Sequence, residues 1–310
     1  MTSDTTERRN RTVGPDIAIV GAARAGTSFL SAVLGRHTQI DPGMVKEPNY
    51  FSSRWEDGED WYDQLYTPRT AGVLCLDSSV SYTYPQHPKA LQRLRAVVPD
   101  VKVIYTVRRP VDRLVSHYQL FRYYTQTHDW KNLGDALTKS EMLLGSSDYS
   151  HWLTTIRDLF PTENVLVIPF PLITKDMPAV LDSVLPWLGL EHETALLESD
   201  SGNYRNEIRQ FRFATLQHVH NALTSSRYYP RLRQIVGADR LRSLRRAVTR
   251  RTDMPSAQAE LATLTASQHR EVRQVSARAV EAVSDWLADQ DSRHGVSWLP
   301  AWSLHESSEA

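Results

Sequence analysis

Four short aliphatic runs, Ile17–Val20, Val73–Leu76, Val101–Val107 and Val165–Ile168, alternate along the chain with helical patterns at Thr27–Arg36, Pro88–Val98, Val111–Tyr124 and Ser150–Phe160. The runs are continuous rather than alternating apolar and polar, so each strand expects cover on both faces. Strands separated by helices pair in parallel, because a parallel partner needs a long crossover. Pro88 and Pro110 stand where a first helical turn tolerates proline. The expectation is an α/β fold of three layers around a central, mostly parallel sheet. After about Gly189 the apolar runs give way to helical patterning up to Trp286. One domain is expected over 15–302, its 189–302 part a mainly helical extension, with loose tails at 1–14 and 303–310.

The first strand opens a loop with a chemistry of its own. "IAIVGAARAGTSFLSAVL", residues 17–34, reads as strand, glycine turn and helix, the layout that places backbone N–H groups and a helix N-terminus around an anion. This makes the fold P-loop-like. The phosphate loop of nucleotide hydrolases is G-x-x-x-x-G-K-[ST]. Gly21 and Gly26 keep that spacing, but Thr27 stands at the lysine position and Arg24 is the nearest cation. An arginine can clamp an anion through two parallel hydrogen bonds. Two ligand classes compete. A magnesium nucleotide bound by a kinase or NTPase would want the missing lysine and an acid at a strand end, for which Asp77 is available. A sulfonate donor needs no metal, because its transferred group carries less charge than a γ-phosphate.

The second motif is "VIYTVRRPVDRLVSHY", residues 103–118. Arg108 ends a strand and Ser116 lies in the second turn of the next helix, so that a guanidinium and a hydroxyl can hold one phosphate from two sides. Together the two motifs resemble the sulfotransferases that use 3′-phosphoadenosine 5′-phosphosulfate (PAPS). Tyrosylprotein sulfotransferases and many bacterial enzymes of that family carry Arg-Ser-Gly-Thr-Thr where this chain has "RAGTS". The resemblance covers roughly residues 16–190. It implies that Arg24, Ala25, Gly26, Thr27 and Ser28 hold the 5′-phosphosulfate and that Arg108 and Ser116 hold the 3′-phosphate. "VKEPNYFSS", residues 45–53, resembles the Lys-Glu-x-x-(Phe/Tyr)-Phe segment of glucosaminyl and related carbohydrate sulfotransferases. That makes Glu47 the general base, with Arg24 the other catalytic residue. Tyr149 then falls where it would line the adenine pocket, and Arg205 and Arg209 in a loop that closes over the donor. "LDSSVSYTY", residues 76–84, departs from the family's Glu-Lys-Thr-Pro-x-Tyr: Ser78 replaces the lysine and Val80 the proline. The implied reaction is sulfonate transfer to a hydroxyl or amine of a carbohydrate or small-molecule acceptor, leaving adenosine 3′,5′-bisphosphate.

Composition sets limits on partners. Lysine plus arginine and aspartate plus glutamate both number 36, so no global charge draws the chain to nucleic acid. Twelve arginines nevertheless stand against Glu207 and Asp239 between Tyr204 and Arg251. On "DRLRSLRRAVTRR" six of them share a helix with Leu241, Leu244 and Val248, which reads as a solvated face or as a surface for an acidic acceptor or partner, without the interleaved aromatics of nucleic-acid binders. Cys75 is the single cysteine, so no internal disulfide forms. The polar start "MTSDTTERRNRTVG" lacks a signal peptide's apolar core, and no run approaches the ~20 residues of a membrane span. A cytoplasmic protein is expected, and its excess of arginine (30 against 6 lysines) suggests a bacterial source. His117, His128, His151, His218 and His220 show no metal-ligand spacing, and no metal is expected. Trp55, Trp61, Tyr62 and Tyr66 follow the Glu47 stretch as a candidate acceptor wall or as core. Besides the acceptor, the remaining partner expected is a second copy of the chain.

Overall fold

A computed structural model describes residues 14–125, 128–193 and 254–307, together with the backbone of 209–211 and 249–251. Its centre is a parallel sheet of five strands: β1 (Ile17–Gly21), β2 (Ile40–Asp41), β3 (Leu74–Ser78), β4 (Lys102–Val107) and β5 (Val165–Pro169). Their spatial order is β2-β3-β1-β4-β5. In register, Ile17 lies between Leu76 of β3 and Lys102 of β4, and Val103 faces Val165 of β5. All five residues of β1 and of β5 are buried, which is why their sequences read as unbroken apolar runs. The chain builds one flank of β1 and then crosses to the other. The carboxyl end of β1 is therefore the switch point at which parallel α/β sheets open a ligand crevice.

The flanking helices follow the expected pattern. They are α1 (Thr27–Leu34), α2 (Ala90–Val97), α3 (Pro110–Gln119), α4 (Tyr149–Leu159), α5 (Phe170–Lys175), α6 (Met177–Trp187) and α7 (Ala266–His294). Pro110 takes the first position of α3, where its missing N–H costs nothing. The last turns expected of that helix, up to Tyr124, are wound as a π-helical segment, Leu120–Thr125. Helix α7 starts in a capping box of Thr265 and Gln268 and ends at Gly295, whose φ of 65° favours glycine. Its buried stripe, Val272, Val275, Ala279, Val283, Trp286 and Leu287, packs on α4 and β5. Gln290 extends this stripe and reaches an open strand edge. Its amide donates to the Val167 carbonyl at 3.0 Å and accepts from the Val167 N–H at 2.8 Å. The edge of β5 is thus capped by a helix, which blocks pairing with another chain.

Three expectations need correction. Strand β2 escaped the sequence reading because two residues make no apolar run. Strands do not stop at Gly189: Arg209–Phe211 pairs antiparallel with Thr249–Arg251 inside the stretch read as helical. The last helix, Leu299–Ser307, carries on past Ser303, where a loose tail was expected. The N-terminal tail up to residue 13 and most of the arginine-rich stretch lie outside the described residues. Among those described, no helix is long and apolar enough to cross a membrane.

Candidate functional site

A cleft of about 420 Å³ lies at the carboxyl end of β1 and is lined by Arg24, Gly26, Thr27, Ser28, Glu47, Tyr84 and Arg108, among others. Its floor is the turn between β1 and α1. Gly26 has φ of 92°, and a Cβ there would lie 3.0 Å from Ile173 and 3.1 Å from Phe170 of α5. Only glycine suits both the angle and the space. Arg24 also adopts a positive φ, 70°, an uncommon conformation for a residue with a side chain. Its Nε donates to the Ser116 hydroxyl at 3.0 Å, tying the first motif to the second across 92 residues.

Arg108 leaves the tip of β4 beside this turn. One of its guanidinium nitrogens donates to the Arg24 carbonyl at 3.3 Å, and its plane lies over Phe170, 4.8 Å from the ring centre. Its Nε is buried without a hydrogen-bond partner. Burial, and then the charge of Arg108, lowers the Arg24 pKa to about 10. Both groups remain cationic at neutral pH, yet each is stripped of water near the other. That arrangement becomes favourable when an anion enters. Tyr149 holds Arg108 in place. Its hydroxyl donates to the Arg108 carbonyl at 2.8 Å and accepts from the Arg108 N–H at 3.2 Å. It is fully buried against Tyr105, so it shapes the cleft from behind rather than lining it.

Behind the turn lies Arg113, a fully buried arginine that the sequence reading missed. It donates to the Ala23 carbonyl (3.4 Å), the Ser147 hydroxyl (2.8 Å), the Leu143 carbonyl and His117 Nδ1 (3.0 Å). It therefore fixes the backbone one residue before Arg24. His117 Nε2 in turn meets the hydroxyl of Tyr84 at 3.2 Å. The i, i+4 spacing of Arg113 and His117 puts both on one face of α3.

Glu47 reaches the cleft from the loop after β2. Its φ is 63°, and its carboxylate is paired with the Lys46 ammonium. The loop is held by Asn49, itself at φ 55°. The Asn49 amide donates to the Glu47 carbonyl at 2.9 Å, its oxygen accepts from Ser81 at 2.6 Å, and its N–H donates to Ser79 at 3.0 Å. Asn49 was not singled out in sequence, although asparagine tolerates this backbone better than most residues.

Asp77 does not sit in the cleft. It is fully buried and accepts from Ser79 (2.6 Å), Tyr82 (2.6 Å) and Tyr62 (2.9 Å). This enclosure corrects its reading as a strand-end acid for magnesium, since three hydroxyls already occupy the carboxylate. Among the described residues no group of three metal-ligating side chains occurs. Burial raises the Asp77 pKa from 3.8 to about 6 despite those donors. Between these values the folded state keeps a proton that the unfolded chain has lost, so stability falls as pH rises through that window. The gap corresponds to roughly 3 kcal/mol. Asp77→Asn, neutral at every pH, is expected to flatten the fall. Urea midpoints measured from pH 4 to pH 7 check this, and parallel profiles for variant and wild type would refute it.

The remaining expected residues divide as follows. Thr27 and Ser28 line the cleft, and Ala25 is buried beneath it. Ser116 is bonded to Arg24 rather than reaching Arg108. Trp55, Trp61, Tyr62 and Tyr66 form a packed cluster with Tyr50 and Phe51, with Tyr50 and Tyr62 stacked at 4.6 Å. Tyr62 is buried in the core, Trp55, Trp61 and Tyr66 are partly buried against it, and none of the four is among the residues lining the cleft. Arg205 and the side chain of Arg209 lie outside the described residues.

Fold and site thus define a parallel α/β protein whose first loop, flanked by two arginines, is built for an anion beside a carboxylate. Residues 50–194 match the model of the sulfotransferase family. Heparan sulfate glucosamine 3-O-sulfotransferase 6 of Homo sapiens is 27% identical over 187 residues, covering 57% of this chain and 53% of that protein. The membrane-associated sulfotransferase kil1 of Dictyostelium discoideum is 30% identical over 105 residues, covering 34% of this chain and 22% of that one. Among solved structures, a sulfotransferase from Alicyclobacillus acidocaldarius matches with a TM-score of 0.49 at 26% identity, over 59% of this chain and 88% of that one. The chain spans about half the length of the heparan sulfate glucosamine 3-O-sulfotransferases it matches.

Proposed function

We propose that the protein transfers a sulfonate group from PAPS to a hydroxyl or amine of a carbohydrate or small-molecule acceptor. The observation that carries this reading is the pair of partly desolvated guanidiniums, Arg24 and Arg108, beside one loop and one helix N-terminus, with Glu47 lining the same cleft. When bound, the donor supplies the sulfonate. Arg24 and the turn up to Ser28 hold the 5′-phosphosulfate, and Arg108, with Ser116 close by, holds the 3′-phosphate. Tyr149 keeps the Arg108 backbone in position. The acceptor oxygen or nitrogen forms a bond to sulfur as the bond from sulfur to the phosphate bridge breaks. Glu47 takes the acceptor's proton, and adenosine 3′,5′-bisphosphate leaves. The matched relatives named for heparan sulfate make a sugar hydroxyl or amine the first acceptor class to test. The kinase-type reading gains no support, because Thr27 takes the lysine position and Asp77 is enclosed.

The assignment of Arg108 has a direct test. Arg108→Ala is expected to weaken PAPS binding by about 1.5–3 kcal/mol, the worth of a charge-assisted hydrogen bond. Binding of adenosine 5′-phosphosulfate, which lacks the 3′-phosphate, is expected to change little. Calorimetry with both ligands measures the difference, and equal losses would overturn the assignment.

A further inference from the structure

Tyr84 takes no part in the reading above, yet it lines the cleft with Arg24 and Glu47. Its hydroxyl meets His117 Nε2 at 3.2 Å, and His117 Nδ1 meets an Arg113 guanidinium nitrogen at 3.0 Å. A guanidinium has only donors. His117 Nδ1 must therefore accept, and the proton of a neutral imidazole must sit on Nε2. That N–H donates to the Tyr84 oxygen and leaves the phenol's own proton to point elsewhere. His117 is fully buried, and burial, followed by the charges of Arg113 and Arg24, keeps its pKa well below the usual imidazole range. The imidazole is thus neutral, and its tautomer is set by Arg113. The phenol in turn is held protonated by burial and then by the Glu47 carboxylate.

From this chain of hydrogen bonds we infer that Tyr84 is a further catalytic residue, whose hydroxyl donates to the anionic group seated beside Arg24, with His117 and Arg113 as its positioning residues. The group it meets is a tetrahedral oxyanion, which in the proposed reaction is the sulfonate in transit. The inference rests on the sulfotransferase reading for that last step alone. A neutral donor suits this place, because charge on the sulfonate oxygens changes little during transfer while a fixed donor keeps them oriented.

The test uses inorganic sulfate as the probe, with the full chain and calorimetry. Tyr84→Phe keeps the ring and removes the donor, and is expected to weaken sulfate about five- to tenfold. Its affinity for adenosine 3′,5′-bisphosphate, which has no sulfonate, is expected to stay within about twofold. A merely structural role would move both. Equal sulfate affinity in variant and wild type, no sulfate binding by the wild type, or parallel losses of both ligands would each overturn the inference. If the wild type fails to bind adenosine 3′,5′-bisphosphate while sulfate still depends on Tyr84, the donor reading falls and the role of Tyr84 as an oxyanion donor stands. Nitrogen NMR of labelled histidine, with the His117 signals identified by their loss in His117→Gln, checks the relay independently. A neutral ring protonated on Nε2 is expected, and one protonated on Nδ1 would break the chain of donors.

Discussion

Glu47→Gln is expected to lower turnover by about 10²- to 10⁴-fold, the usual worth of a positioned general base. Glutamine keeps the shape of the side chain and accepts hydrogen bonds but cannot take up a proton. Binding of adenosine 3′,5′-bisphosphate should stay at the wild-type level, because the proposed role of Glu47 is to take the acceptor's proton. The pH–rate profile should lose its acidic limb, which reports ionisation of the base. The structure supplies a reason for the residue's placement. Glu47 sits at φ 63° in a loop pinned by Asn49, and only such a pinned loop keeps a carboxylate aimed into the cleft. The competing view makes Glu47 a partner of Lys46 and nothing more. Both side chains are partly exposed, and such a pair is worth at most about 1 kcal/mol of stability. On that view the variant keeps full turnover and its acidic limb, and steady-state rates from pH 5 to pH 9 separate the two.

Arg24→Ala should act on the rate more than on donor affinity, with turnover falling by about 10²- to 10³-fold, as when one transition-state donor is removed. Charge moves onto the phosphosulfate bridge as the bond to sulfur breaks, and Arg24 is the cation carried by the loop itself. Its loss also frees Ser116 and relieves the repulsion with Arg108. Affinity for adenosine 3′,5′-bisphosphate should therefore fall less than turnover. Arg24→Lys should recover part of the rate, since it keeps the positive charge, but not all of it, because an ammonium cannot reproduce the bond from Nε to Ser116. An Arg24→Ala protein with unchanged turnover would remove the residue from the mechanism.

The parts of this account that were legible in sequence are those that depend on local pattern. Strands β1, β3, β4 and β5 announce themselves because burial on both faces demands unbroken apolar runs, and the turn at Gly26 because glycine spacing marks a close backbone approach. The residues lining the cleft from that turn were legible for the same reason. What was not legible is what the tertiary fold brings together. Arg24 meets Ser116 across 92 residues, and Arg113 meets Ala23 across 90. Nothing in the spacing of α3 tells that Arg113 turns inward while Arg109, one helical turn earlier, does not share its burial. Tyr149 was assigned to the adenine pocket from its place after the second motif, yet it serves the Arg108 backbone. Asp77 looked like a metal acid from its strand-end position, and only the three hydroxyls from Tyr62, Ser79 and Tyr82 reveal it as a buried structural carboxyl. Asn49 did leave a signal, an asparagine just after the Glu47–Pro48 step, where a left-handed backbone is affordable.

The central claim is that the cleft recognises a nucleotide bearing a 3′-phosphate. Thermal unfolding of the full chain with adenosine 3′,5′-bisphosphate, adenosine 5′-monophosphate or magnesium ATP tests it most directly. At about 100 times its dissociation constant a ligand adds about 2.7 kcal/mol to stability, enough to raise the melting temperature by a few degrees. The bisphosphate is expected to produce such a rise at concentrations where the monophosphate and magnesium ATP produce little. A rise with magnesium ATP equal to that with the bisphosphate, or no rise with the bisphosphate, would contradict it.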